Sequence, residues 1–145
     1  MNEDDTLSKL FKQIHDAMER RANNELQGYG ITMTQMMILA IIQRNGGSMP
    51  LKELEKRLHL AQSTAAGVVV RMEQKGFVSN QGDDLDARVK VVRITEKGIE
   101  VVRMTEADRT RAEEVLLCGL SSEEQQALRP MLEKICRSLN AGSEE

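Results

Sequence analysis

Apolar residues recur at three- and four-residue steps along the first stretch of the chain: Leu7, Leu10, Phe11, Ile14, Met18 and Ala22. Lys9, Lys12, Asp16, Glu19, Arg20 and Asn23 occupy the other side. That period predicts a helix over residues 5–27, ended by Gly28-Tyr29-Gly30. Thr32-Met33-Thr34-Gln35 has the form of a capping box and opens a second helix. Its run Met36, Met37, Ile38, Leu39, Ile41, Ile42 is apolar nearly all round, which places it at the centre of the molecule. Asn45-Gly46-Gly47 breaks it.

Two short helices follow. Residues 50–58 carry the stripe Leu51, Leu54, Leu58, with Pro50 near the first turn where its missing N–H is harmless. His59-Leu60-Ala61 is a tight connection. Residues 62–75 bury Ala65, Val68, Val69 and Met72, and Gly76 closes that helix. Two short helices in quick succession suggest a helix-turn-helix. The period then changes. Phe77-Val78 and the β-branched run from Arg88 to Ile94 flank a polar, turn-rich stretch, predicting a β-hairpin with a long tip. Thr95-Glu96-Lys97-Gly98 begins one long helix with Ile99, Val102, Ala112, Val115 and Leu116 inward, stopped at Gly119. Ser121-Ser122-Glu123-Glu124 forms another capping box and opens a last helix through Leu128, Leu132, Ile135 and Leu139. Pro130 is expected to kink or restart it, and the tail from Ala141 to Glu145 to fray.

Composition narrows the class. A chain of 145 residues suits one domain. No apolar run is long enough to span a membrane, and Met1-Asn2-Glu3-Asp4-Asp5 is acidic where a signal peptide is basic. The expected location is the cytoplasm. Aromatic residues make up only 2 %, which counts against modules that stack single-stranded bases on aromatic rings. The net charge is −3. From Ser48 to Gly98, nine basic residues, Lys75 and Lys97 among them, face seven acidic ones, so this stretch carries +2. The asymmetry has the right sign for a nucleic-acid partner but is small, and a solvated charged face explains it equally well.

The element order helix, helix, helix-turn-helix, hairpin, helix looks like a winged helix-turn-helix flanked by extra helices. The residues resemble one family in particular, the MarR family (multiple antibiotic resistance regulators). Ile31-Thr32-x-x-Gln35 followed by Ile38-Leu39 resembles its second-helix signature. Ser63-Thr64 followed by Arg71-Met72-Glu73-x-Lys75-Gly76-Phe77-Val78 resembles its recognition helix. Asp86-Ala87-Arg88 followed by Thr95-Glu96-Lys97-Gly98 resembles its wing and wing exit. The resemblance covers nearly the whole chain. It implies a mainly α fold with a small β-wing in one domain over 1–145, with a DNA-binding lobe at 31–98 and dimerisation helices at 1–30 and 99–145. It further implies a homodimeric regulator of transcription on double-stranded DNA, with a palindromic operator, commonly a repressor released by a small-molecule effector or by oxidation. In relatives the effector binds between the dimerisation helices and the DNA-binding lobe.

Candidate contacts follow from chemistry and position. Gln62, Ser63 and Thr64 put short polar side chains at a helix N-terminus, where amides and dipole favour phosphate and base edges come within reach; ordinary capping by Ser63 is the alternative. Arg71 lies two turns further on the same side as Thr64 and Gly67. Relatives often carry arginine at the position of Gly67, so a base reader is missing there while the backbone gains close approach. Arg88 at the hairpin tip suits a narrow minor groove. Lys90 is a second wing cation. Asp86 has the wrong charge for phosphate, which leaves the role of orienting an arginine.

Other chemistries find little support. Cys118 and Cys136 read as small buried hydrophobes, with a thiol-based redox switch as the alternative function. His15 and His59 lack ligand-spaced partners, so no metal and no cofactor are expected. The methionines fall at helical spacing and read as core. No nucleophile elbow, phosphate-binding loop or HExxH occurs, so an enzyme is not expected. A winged-helix protein-interaction module without specific DNA reading is the remaining alternative. The stripes Leu7, Phe11, Ile14, Met18 and Leu128, Leu132, Ile135, Leu139 exceed what a winged helix can cover, and predict a two-fold partner.

Overall fold

The computed structural model describes residues 6–58 and 62–141, with the side chains of Gln62 and Ser63 outside the described set. The His59-Leu60-Ala61 connection and the tail beyond Ala141 also lie outside it. The order is α1 (Leu7–Leu26), α2 (Met33–Arg44), β1 (Ser48–Pro50), α3 (Leu51–Leu58), α4 (Gln62–Gln74), β2 (Val78–Gly82), β3 (Lys90–Ile94), α5 (Glu96–Met104), α6 (Glu106–Leu117) and α7 (Ser122–Ala141). The fold is mainly helical with one small sheet, as the pattern predicts. The packing divides into two compact units at the Asp108–Arg109 junction.

In the first unit, Thr6 caps α1 by accepting from the Lys9 N–H. A 3₁₀ turn at Gln27–Tyr29 ends on Gly30, whose φ of 70° is the left-handed conformation that glycine adopts freely. The predicted capping box opens α2: Thr32 Oγ1 accepts from the Gln35 N–H, and Gln35 Oε1 accepts from the Thr32 N–H. Ile38, Leu39 and Ile42 of α2 are wholly buried and sit with Leu54, Val69, Met72, Phe77 and Val92 in one core. Met37 is the exception to the all-round pattern, being 48 % exposed.

The sheet is antiparallel in the order β1-β3-β2, with Met49 opposite Val92 and Asn80 opposite the same Val92 across the other edge. Strand β1 corrects the expectation that Pro50 lies in a helix. Pro50 ends β1 opposite Val91, and α3 starts at Leu51. An edge strand tolerates the missing donor.

The predicted single helix after the wing is two helices. α5 stops at Thr105, which is wholly buried and returns its hydroxyl to the Val101 carbonyl at 2.8 Å. Back-bonding of this kind competes with the helix ladder. Val101 and Val102 are buried, whereas Ile99, Val115 and Leu116 are exposed rather than inward.

In the second unit, Ser121 and Glu124 form the predicted capping box: the Ser121 N–H donates to Glu124 Oε1 at 2.9 Å and the Glu124 N–H to Ser121 Oγ at 3.2 Å. The side-chain amide of Gln125 closes the turn on the Leu117 and Leu120 carbonyls. Arg129 pairs with Glu113 at 2.7 Å. α7 runs through Pro130 without restarting; proline removes one ladder bond there, and the bonds on either side carry the helix past it. Among the described residues no helix is long and apolar enough to cross a membrane.

Candidate nucleic-acid interface

The root of the wing is built from the residues that carry the family resemblance. Lys75 Nζ donates to the Gly30 carbonyl at 2.9 Å and to Gln35 Oε1 at 3.3 Å, tying the end of α4 to the start of α2. Thr95 Oγ1 lies 2.6 Å from the Gly76 carbonyl and 3.0 Å from that of Phe77, and accepts from the Gly98 N–H at 3.1 Å. Lys97 Nζ donates to the Lys75 carbonyl at 2.7 Å and stands 5.1 Å from the centre of the Phe77 ring. Gly98 is buried, and a Cβ there would collide with the Phe77 carbonyl oxygen and the Ile94 side chain. Two of the cations counted toward a basic face, Lys75 and Lys97, therefore hold the fold together.

This root fixes the two elements that project from it. α4 buries Ala65, Val69 and Met72, which leaves Thr64, Gly67, Val70 and Arg71 exposed on the opposite side. Thr64, Gly67 and Arg71 thus share a face, as their spacing predicts; the Gln62 and Ser63 side chains lie outside the described residues. Glu73 Oε2 accepts from the Asn80 N–H at 2.8 Å and ties α4 to β2. No sequence pattern announced this bond, because seven residues and a glycine turn separate the partners. Val70, 46 % exposed, was also missed: in the sequence it reads as one more member of an apolar run.

The wing tip, residues 83–89, is ordered by its own aspartates. The Asp83 N–H donates to the Val89 carbonyl at 2.8 Å, and Asp83 Oδ1 accepts from the Leu85 N–H at 3.3 Å. Asp86 Oδ1 accepts from both the backbone N–H and the Nε of Arg88, and Asp86 Oδ2 accepts from Arg88 Nη2. The Arg88 side chain is 91 % exposed. Its side-chain and backbone hydrogen bonds hold the Asp86 carboxyl below the ordinary carboxylate range. Lys90 is exposed at the start of β3, opposite Gly82. Leu85, also missed, is 96 % exposed.

Outside this surface, the remaining candidates differ from expectation. Cys118 and Cys136 are both exposed rather than buried, because α6 and α7 each leave most of their surface uncovered. His15 faces Glu19 at 3.7 Å along α1. No group of His, Cys, Asp and Glu among the described residues is arranged to hold a metal.

Three antiparallel strands, a short helix pair whose second member is exposed along one side, and a hairpin with an arginine at its tip define a winged helix-turn-helix. The MarR family model matches residues 31–90, from two residues before α2 to the first residue of β3. Residues 31–90 thus match a MarR family domain, and the curated proteins similar to most of the chain are HTH-type transcriptional regulators. The chain is 28 % identical to the HTH-type transcriptional regulator MhqR of Bacillus subtilis, over 93 % of this chain and 88 % of that protein. It is also 28 % identical to the HTH-type transcriptional repressor IacR of Pseudomonas putida, over 88 % of this chain and 75 % of that protein. Among solved structures, the S. aureus MepR–DNA complex superposes with a TM-score of 0.82 at 26 % identity, covering 92 % of this chain and 98 % of that one.

Proposed function

We propose that the protein is a cytoplasmic homodimer that reads a palindromic operator in double-stranded DNA, represses transcription there, and is released by a small organic effector. The observation that carries the DNA reading is the wing: a guanidinium held almost wholly in solvent by a two-point carboxylate clamp. Holding an arginine out of the fold serves an external anion, and a narrow minor groove supplies one. Thr64, Gly67 and Arg71 on the open face of α4 then take the major groove, with Gln62 and Ser63 at its N-terminus and Lys90 on the wing beside the phosphates. The residues that would do this lie at 31–98, and residues 1–30 and 99–145 provide the dimer.

Dimerisation is supported by unmatched apolar surface. Leu7, Leu10, Phe11, Ile14 and Met18 of α1 are each at least 41 % exposed, and Met131, Ile135 and Leu139 of α7 at least 43 %. A two-fold partner covers such stripes and sets two recognition helices about 34 Å apart, one turn of DNA. Repression is supported by the name of the Pseudomonas putida relative. Selection of bound sequences from a random DNA pool, repeated with a metabolite panel, tests the whole reading. A palindrome with half-sites one helical turn apart supports it, and recovery of unrelated sequences refutes it.

A second reading is favoured by the exposure of both thiols. Cys136 lies with Leu116, Leu117, Leu132 and Arg137 along an apolar groove of the second unit. Access is one requirement of a redox-sensing thiol. Oxidant-driven release of DNA that vanishes in a Cys118→Ser, Cys136→Ser variant supports this reading, and release that persists excludes it.

A further inference from the structure

The open face of α4 carries two features that the fold does not use. Gly67 lies in mid-helix, and a Cβ built on it would meet nothing within 4 Å. Packing therefore does not require glycine there, and after proline glycine is the poorest helix former. No packing contact in the fold accounts for it. Val70, one turn on, is 46 % exposed although Val69 beside it is wholly buried. Helical side chains lean toward the N-terminus, so the isopropyl group of Val70 stands beside the turn that holds Gly67, more than 4 Å from the place of its missing Cβ. The result is an open strip of main chain next to an exposed isopropyl group, with exposed Thr64 and Arg71 on the same side of the helix.

Base edges in the major groove present donors, acceptors and a single apolar group, the C5-methyl of thymine. The missing Cβ lets a base edge come close, and its methyl can then meet the exposed Val70. We propose that Gly67 and Val70 form a thymine-methyl reading site that fixes a T at one position in each operator half-site. The proposal rests on the DNA-binding reading above and adds to it a base identity and two residues that set it.

Deoxyuridine, which lacks only the methyl, isolates the effect. The full-length protein is titrated against a selected operator in which thymines are replaced by deoxyuridine one at a time. One position per half-site is expected to lose about fourfold in affinity, the worth of burying one methyl, and about fifteenfold with both half-sites substituted. Val70→Ala is expected to bear a similar loss and to make the substitution at that position nearly silent, since the two changes remove the same contact. Gly67→Ala is expected to raise the thermal midpoint while weakening operator binding, a combination that a purely structural glycine does not give. Specific binding that is indifferent to every deoxyuridine overturns the methyl site and leaves the DNA reading standing. A deoxyuridine penalty undiminished in Val70→Ala overturns the assignment to Val70. A pool that yields no preferred sequence overturns both readings together.

Discussion

Arg88 donates from Nε and Nη2 to the two carboxylate oxygens of Asp86, at 3.1 and 3.2 Å, across a single intervening residue. The pair stands in solvent, so it contributes little to folding; its effect is to select one posture of a long side chain. Asp86→Asn is expected to leave the thermal midpoint unchanged and to weaken operator binding about two- to tenfold, the cost of ordering one rotamer-rich side chain on binding. Parallel melting curves and binding isotherms check this.

The same pair sets a pH dependence. Arg88 depresses the Asp86 carboxyl, so the clamp is complete above the ordinary aspartate pKa of about 3.9 and is lost as pH falls through the lower, native value. From neutrality down to about pH 5 the clamp is therefore constant. In Arg88→Ala the Asp86 carboxyl is expected to titrate higher than in the unaltered protein, because the side-chain bonds are lost, while the backbone N–H of residue 88 still holds it somewhat below the ordinary range. Carboxyl resonances followed by NMR in the two proteins measure the difference directly.

Arg71 is exposed on the face of α4 assigned to the major groove. Arg71→Ala is expected to cost about 1–3 kcal/mol of specific binding and to relax preference at one position of each half-site. A loss of equal size on every sequence would reassign Arg71 to a phosphate.

Gly98 is where α5 meets the wing root. In Gly98→Ala the new methyl collides with the Phe77 carbonyl oxygen, which is backbone and yields little. Overpacking of this kind is expected to destabilise the fold by about 1–3 kcal/mol, read as a lower urea midpoint with an unchanged slope.

Phe11 and Ile14 stand exposed on α1. A charge at Ile14 enters a two-fold interface twice. Ile14→Glu is expected to raise the dimer dissociation constant about a thousandfold, two losses of roughly 2 kcal/mol, with the helical circular dichroism intact. Sedimentation equilibrium decides.

Much of this architecture is legible in the sequence because its signals are local. The 3.6-residue period marks α1, α2, α4 and α7, and the Thr32–Gln35 and Ser121–Glu124 boxes mark two helix starts to the residue. What escaped depends on tertiary context. β1 is three residues long, too short for an alternation to register, and exists because β3 offers it an edge. The break at Thr105 follows from burial of a hydroxyl that a helix pattern does not reveal. Lys75 and Lys97 look like a basic face in a charge count and are consumed by carbonyls brought near only by folding. Val70 shows the converse: the predicted stripe Ala65, Val68, Val69, Met72 leaves it out, yet an apolar run gives no sign that one of its members stands in solvent.

In the proposed function α4 and the wing act together on DNA. The most direct test is the affinity of the Arg71→Ala, Arg88→Ala double variant for a selected operator, measured over a salt series beside the unaltered protein. A folded dimer is expected, with operator affinity reduced by about two orders of magnitude or more and a shallower dependence on salt. Unchanged affinity and salt slope, with the fold intact by circular dichroism, would contradict this reading and assign this face to another partner.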